Sequence, residues 1–219
     1  MSGLWPSDLE LIWPFEIMPG IEPNYWFNDK IINAYLDMLN FRTKGKNRVC
    51  CLNTYTGQII LYQDPNKRKA AVVFQKQLVK AGRAAEDVDF LILPVCIESH
   101  WIMYVVDRPN VTVYKLNSLL PKQEEGRSPP ADRNYYSIMR WLLMAGYFKE
   151  EQEYTERILK HVPQQKNTND CGLAVCLAAR AIHDVKGEDF MFPVFEWGYE
   201  LQEVSEHLRK RTATELVRN

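Results

Sequence analysis

Apolar residues recur along the chain at two different periods, and the changes between them mark out the elements. Ile31, Ile32, Tyr35, Leu36, Met38 and Leu39 fall at helical spacing. Asn28 is placed to cap that helix and Asp29 suits its first turn, so a helix is predicted from there to about Phe41. Lys67 to Ala81 reads as a second helix, closed by Gly82. Phe90-Leu91-Ile92-Leu93-Pro94-Val95 is a short apolar run of the kind found in buried strands. Trp101 to Val106 and Val111 to Leu116 are β-rich, and Asp107-Arg108-Pro109-Asn110 between them predicts a hairpin turn. Tyr135 to Tyr147 is amphipathic at helical spacing. Cys171 to Asp184 is rich in Ala and Leu and apolar on most faces, which predicts a central, buried helix. Trp197 to Val217 reads as a last amphipathic helical region, with Arg209-Lys210-Arg211 as a solvated face rather than a nuclear address.

Other stretches carry weaker patterns. Residues 1–24 hold Pro6, Pro14, Pro19 and Pro23 with Trp5, Trp13 and Phe15 between them, which rules out one continuous helix and suggests an extended arm. Residues 49–62 read as an irregular hairpin or a surface insertion, 121–134 as a mobile surface loop, and 148–160 as charged and exposed. His161-Val162-Pro163 reads as a short strand. Residues 25–219 then form a single domain.

Composition narrows the class. The 219 residues are 46% hydrophobic, enough for one real core, and the net charge of −1 implies no nucleic-acid or other polyanion partner. Five cysteines, an odd number with no CxxC, argue against a disulfide framework or structural zinc and for thiols in a reducing, intracellular setting. The first basic residue is Lys30, so no signal peptide is recognised, and no apolar run approaches the ~18 residues of a membrane span.

The candidate chemistry begins at Cys171. It follows a polar loop, Gln164 to Asp170, at the start of the predicted buried helix. Unpaired N–H groups and the helix dipole there favour a thiolate. Gly172 leaves room for a close substrate approach, and Gln165 is placed to donate an amide N–H to an oxyanion. A cysteine in an apolar helix is ordinarily a packing residue, which describes Cys176 well; for Cys171, position alone weighs the two readings evenly. A base must come from elsewhere. If the hairpin turn occupies 107–110, Val106 faces Val111 and His100 faces Asn117, with Cβ atoms roughly 5 Å apart. Asn117 then holds one ring nitrogen while the other meets a thiol. Asp107 is seven residues along the strand from His100, roughly 24 Å, and is rejected as the partner. Taken alone, His100 is better explained as a surface strand-end histidine bonded to backbone, and Asn117 as a turn residue. His161 is the competing base; His183 and His207 read as structural or solvated.

Three blocks together resemble the SUMO/ubiquitin-like-protein-specific cysteine proteases, the Ulp/sentrin-protease family. Trp26-Phe27-Asn28-Asp29 with Ile31, Ile32 and Asn33 is similar to the family's W-L-N-D-x-x-I-N opening. His100-Trp101, Asp107 and Tyr114-Lys115-Leu116-Asn117-Ser118 resemble its H-W…D…Y-x-D-S block. Val162-Pro163-Gln164-Gln165-Lys166-Asn167-Thr168-Asn169-Asp170-Cys171-Gly172 resembles its V/I-P-Q-Q-x-N-x-x-D-C-G block. The resemblance implies a papain-like α+β fold, a Cys-bearing helix packed on a small mixed sheet that carries the His and Asn. It implies Cys171 as nucleophile, His100 as base and Gln165 as oxyanion donor. It makes Trp26 and Trp101 the walls of a tunnel for a Gly-Gly tail and Asp29 part of the substrate face. No metal or cofactor is implied, and the partner is SUMO or another ubiquitin-like protein and its conjugates, met by a monomer in nucleus or cytoplasm, or in a host cell if the protein is viral or a bacterial effector. Asn117 stands where the family has Asp, which marks a divergent member. The alternatives are a deubiquitinase or deneddylase, a viral-type polyprotein protease, an effector acetyltransferase, and a non-catalytic modifier-binding module.

Overall fold

A computed structural model describes residues 26–43, 48–62, 66–119, 133–148, 154–158, 164–184 and 201–217. The arm at 1–24, most of the 121–134 loop and the His161–Pro163 strand lie outside them. The helices are α1 (Asp29–Arg42), α2 (Thr54–Tyr62), α3 (Lys67–Ala81), α4 (Arg133–Met144), α5 (Cys171–Asp184) and α6 (Leu201–Val217). The strands are β1 (Val49–Cys51), β2 (Phe90–Ile97), β3 (His100–Asp107), β4 (Thr112–Leu116) and β5 (Thr155–Ile158). They form one mixed sheet in the order β1-β2-β3-β4-β5, parallel at both edges and antiparallel in the middle.

Alternation along the central strands splits the core in two. Phe90, Ile92, Trp101, Met103 and Val105 face α1 and α5, whereas Leu91, Leu93, Val95, Ile102, Tyr104 and Val106 face α2, α3 and α4. Burial on both faces is why these strands read as continuous apolar runs. Pro94 is tolerated in β2 because β1 pairs only with Phe90, Leu91 and Ile92, so the missing N–H has no strand beside it. The predicted caps are present: Asn28 Oδ1 accepts from Ile31 N at 3.0 Å, and Gly82 takes the left-handed conformation after α3.

Four expectations need correction. Residues 49–62 are neither a hairpin nor an insertion; they are β1 and the buried helix α2. The two asparagines of α1 that anchor them, Asn33 and Asn40, lie seven residues apart and so on one face of the helix. Asn40 exchanges two 2.9 Å hydrogen bonds with the backbone of Cys51, and Asn33 holds Thr54 at the start of α2. Gly57 lets α2 lie on β2, since a Cβ there would sit 2.5 Å from the Pro94 carbonyl. The stretch 148–160 is not simply exposed: Tyr154 is buried and Thr155–Ile158 extend the sheet. The β3–β4 hairpin is offset, with Asp107 opposite Thr112 and Met103 opposite Leu116. Its loop is 108–111, and Val111 takes a φ of 50°. Finally, Arg209 is not solvated but 6% exposed.

Candidate active site

Cys171 opens α5, and its first turn packs under residues of the α1 side. It is 2% exposed. The backbone N–H groups of Trp101, Gly172 and Cys171 itself favour the thiolate, but burial outweighs them and pushes the thiol above its usual range. The expected net activation by the helix start is therefore not present at rest.

His100 follows a two-residue turn, Glu98-Ser99, in which both residues are left-handed (φ 48° and 66°). Its Nε2 lies 2.7 Å from Asn117 Oδ1. The predicted partners thus meet, although by a different register. Because the hairpin slips by two residues, each side chain keeps its face, and Asn117 reaches His100 diagonally rather than directly across. The amide orientation is fixed independently, since Leu119 N also donates to Asn117 Oδ1 at 2.9 Å. An oxygen that only accepts requires a proton on His100 Nε2, which leaves Nδ1 as the basic nitrogen of the neutral ring. Asp107 is engaged elsewhere, its carboxylate accepting from Asn110 N and Nδ2 across the hairpin loop.

Gln165 is 5% exposed in the loop before α5. Its Oε1 accepts from Ser118 Oγ at 2.7 Å and its Nε2 donates to the Asn167 carbonyl at 2.8 Å. That arrangement orients the amide, and among the described residues its second N–H has no partner. Two more bonds tie this loop to the end of β4: Gln165 N to the Ser118 carbonyl at 2.8 Å and Gln164 Nε2 to the Asn117 carbonyl at 3.1 Å. Asn167 folds the loop on itself by accepting from the backbone N–H of Asn169 and Asp170. Ser118, Gln164 and Asn167 are supports that residue type alone does not flag, since their partners lie in another segment.

The two tryptophans are linked through one residue. Trp101 is 7% exposed, and its indole N–H donates to the Phe27 carbonyl at 3.0 Å; Trp26, next to Phe27, is 38% exposed. Asp29 is exposed in the first turn of α1. Gly172 is closely packed on its side-chain face. A Cβ there would lie 2.5 Å from Phe27 Cβ, so Phe27 fills the space.

A second Cys–His pair, Cys51 and His183, lies at the far end of α5. Cys51 Sγ and His183 Nε2 are 3.1 Å apart, and His183 Nδ1 is 3.1 Å from Thr43 Oγ1. Thr43 spends its only hydroxyl proton on the Leu39 carbonyl, so Nδ1 carries the ring proton and Cys51 donates its S–H to Nε2. Burial holds both groups neutral, raising the thiol well above its usual range and lowering His183 to about 3. This buried pair is a latch between the end of α5 and β1, so that of the two expectations for His183, structural or solvated, solvation is the one that fails.

Residues 25–217 match the family model described as Ulp1 protease family, C-terminal catalytic domain. The Ubiquitin-like-specific protease ESD4 of Arabidopsis thaliana is 26% identical over 221 residues, covering 93% of this chain and 40% of that protein. A Sentrin-specific protease of Caenorhabditis elegans is 27% identical over 157 residues, covering 69% of this chain and 21% of that protein. This chain therefore spans well under half of either relative. The crystal structure of the C-terminal Ulp1 protease domain in complex with Smt3, the yeast ortholog of SUMO, matches with a TM-score of 0.64 at 15% identity over 97% of this chain and 81% of that one. At that identity the likeness is one of fold, and it agrees with the Cys-bearing helix on a mixed sheet. The match across 25–217 is what decides the lineage: the chain belongs to the Ulp1 protease family.

Proposed function

We propose that this chain is a cysteine peptidase that cleaves after the Gly-Gly C-terminus of SUMO or a related ubiquitin-like modifier, through Cys171, His100 and Asn117. The observation that carries the reading is the 2.7 Å contact between His100 Nε2 and Asn117 Oδ1, which leaves Nδ1 basic on the strand whose next backbone N–H reaches the Cys171 sulfur. His100 Nδ1 takes the thiol proton as Sγ attacks the carbonyl carbon of the terminal glycine. The oxyanion is met by N–H groups at the start of α5 and by the second N–H of Gln165 Nε2. His100 then passes its proton to the departing amine, and water hydrolyses the thioester. Trp26 and Trp101 flank the tail, so that a residue with a side chain is excluded, and Asp29 contributes to the surface that meets the folded modifier.

Asn117 orients the imidazole without adding charge, a workable triad of lower electrostatic support than one with Asp. The names of the relatives, one for ubiquitin-like proteins and one for sentrin, support the substrate class. The test is steady-state hydrolysis of C-terminal fluorogenic derivatives of SUMO, NEDD8 and ubiquitin. Turnover of one of them, abolished in Cys171→Ala and in His100→Ala, is the predicted result. Turnover that survives Cys171→Ala would sink the proposal, and turnover confined to ubiquitin or NEDD8 would reassign the substrate.

A further inference from the structure

The residue before the nucleophile, Asp170, is 1% exposed, and a carboxylate that deep needs partners. Asn167 Nδ2 donates to Oδ2 at 2.8 Å. Oδ1 accepts from Arg209 on α6, from Nε at 3.1 Å and from Nη2 at 2.5 Å. Arg209 Nη2 also donates to the Asn169 carbonyl at 3.3 Å, and the guanidinium carbon lies 5.0 Å from the centre of the Phe27 ring. Phe27 in turn fills the space beside Gly172. One side chain, more than thirty residues downstream, thus touches the loop, the acid preceding the thiol and the aromatic that packs on the first turn of α5.

We propose that Arg209 is a positioning residue for the nucleophile: it holds the Asp170 carboxylate and neutralises it, so that Cys171 starts its helix without an uncompensated anion beside the sulfur. The inference rests on Cys171 being the nucleophile. The charge matters because of where the thiol sits. Burial first, and the Asp170 charge in addition, favour its neutral form. Among the described residues, Cys96 on β2 interacts with the Cys171 thiol, and His100 precedes Trp101, whose backbone N–H reaches the sulfur. The α1 side presents Phe27 and Ile32 to this turn. Among the described residues Arg209 is the cation that Asp170 engages, and α6 is held in place separately: Glu215 accepts from Tyr35 at 2.9 Å and from Arg180 at 3.0 Å.

The experiment measures the rate of Cys171 alkylation by iodoacetamide against pH in the full chain. Peptide mass mapping follows the other four cysteines separately. Arg209→Met, which keeps an apolar stem over Phe27 and removes the charge, should raise the inflection by about one pH unit and slow alkylation at pH 7 about ten-fold. Arg209→Lys should stay closer to wild type than Arg209→Met. Asp170→Asn, which leaves the cation and removes the anion, should move the inflection the other way. A folded Arg209→Met with the wild-type profile overturns the proposal, as does a shift of both variants in one direction. If Arg209→Met does not fold, Asp170→Asn decides, and an unchanged or raised inflection overturns it. Failure of the nucleophile reading is separable, because it shows as hydrolysis that survives Cys171→Ala, whereas alkylation needs no substrate.

Discussion

His100 carries its proton on Nε2 because Asn117 Oδ1, fixed by Leu119 N, can only accept. Its proposed partner, Cys171, is a thiol whose neutral form burial favours. On the proposed mechanism the thiol therefore loses its proton during attack rather than before it. This predicts that Cys171 alkylation in the free protein has its inflection above that of an exposed thiol, about 8.5. Rapid alkylation at pH 6 would instead reveal a preformed thiolate–imidazolium pair. Asn117→Asp adds a charge beside the ring. It should let His100 hold its proton to higher pH, moving the acidic limb of kcat/KM upward by about one unit, as pH-rate profiles of the two proteins would show. Cys171, His100 and Asn117 were each ambiguous alone in the sequence, and only the three blocks read together marked them as candidates. The net effect on the thiol was not legible, since it depends on how deeply the first turn of α5 is covered. Neither were Ser118 and Arg209, whose importance comes from partners 47 and 39 residues away.

The hairpins carry their own lesson. The β3–β4 loop was predicted with the right length one residue too early. The Asp-Arg-Pro-Asn turn signal does not say that Asp107 still belongs to the strand, or that Val111 adopts a positive φ. The slip was even, so the site survived it; a slip of one would have sent Asn117 to the other face. The β2–β3 turn left no signal because Glu98 and Ser99 are not the residues that left-handed pairs favour. Replacing them with Asn-Gly should raise stability by about 1 kcal/mol, read as a higher urea midpoint at unchanged m-value. An unchanged midpoint would mean the turn is not strained. Helix α2 escaped prediction for a different reason. Thr54-Tyr55-Thr56-Gly57 favours strand or turn locally, and packing on β2 together with Asn33 overrides that preference.

The sheet is covered on both faces, and the two faces do different work. The α2–α3–α4 side is apolar support, while the α1–α5–α6 side holds the thiol at one end of α5 and the His183 latch at the other. That latch joins the ends of α1, β1 and α5 through Thr43, Cys51 and His183. Since folding lowers the His183 pKa to about 3, the unfolded chain binds one more proton than the folded one between there and the ordinary histidine value of about 6.5. Stability contributed by the neutral ring is full above about pH 6.5 and declines by about 1.4 kcal/mol for each pH unit below it. Urea midpoints at pH 7, 6 and 5 should fall more steeply for the wild type than for His183→Gln; equal slopes would contradict the latch. The most direct test of the catalytic reading is covalent. The wild type and Cys171→Ala would each be mixed with SUMO, NEDD8 and ubiquitin bearing a C-terminal electrophile, and the adduct located by intact and peptide mass. One modifier joined to Cys171, and no adduct in Cys171→Ala, is the predicted result. A folded protein whose Cys171 reacts with iodoacetamide but with none of the three probes would contradict the account.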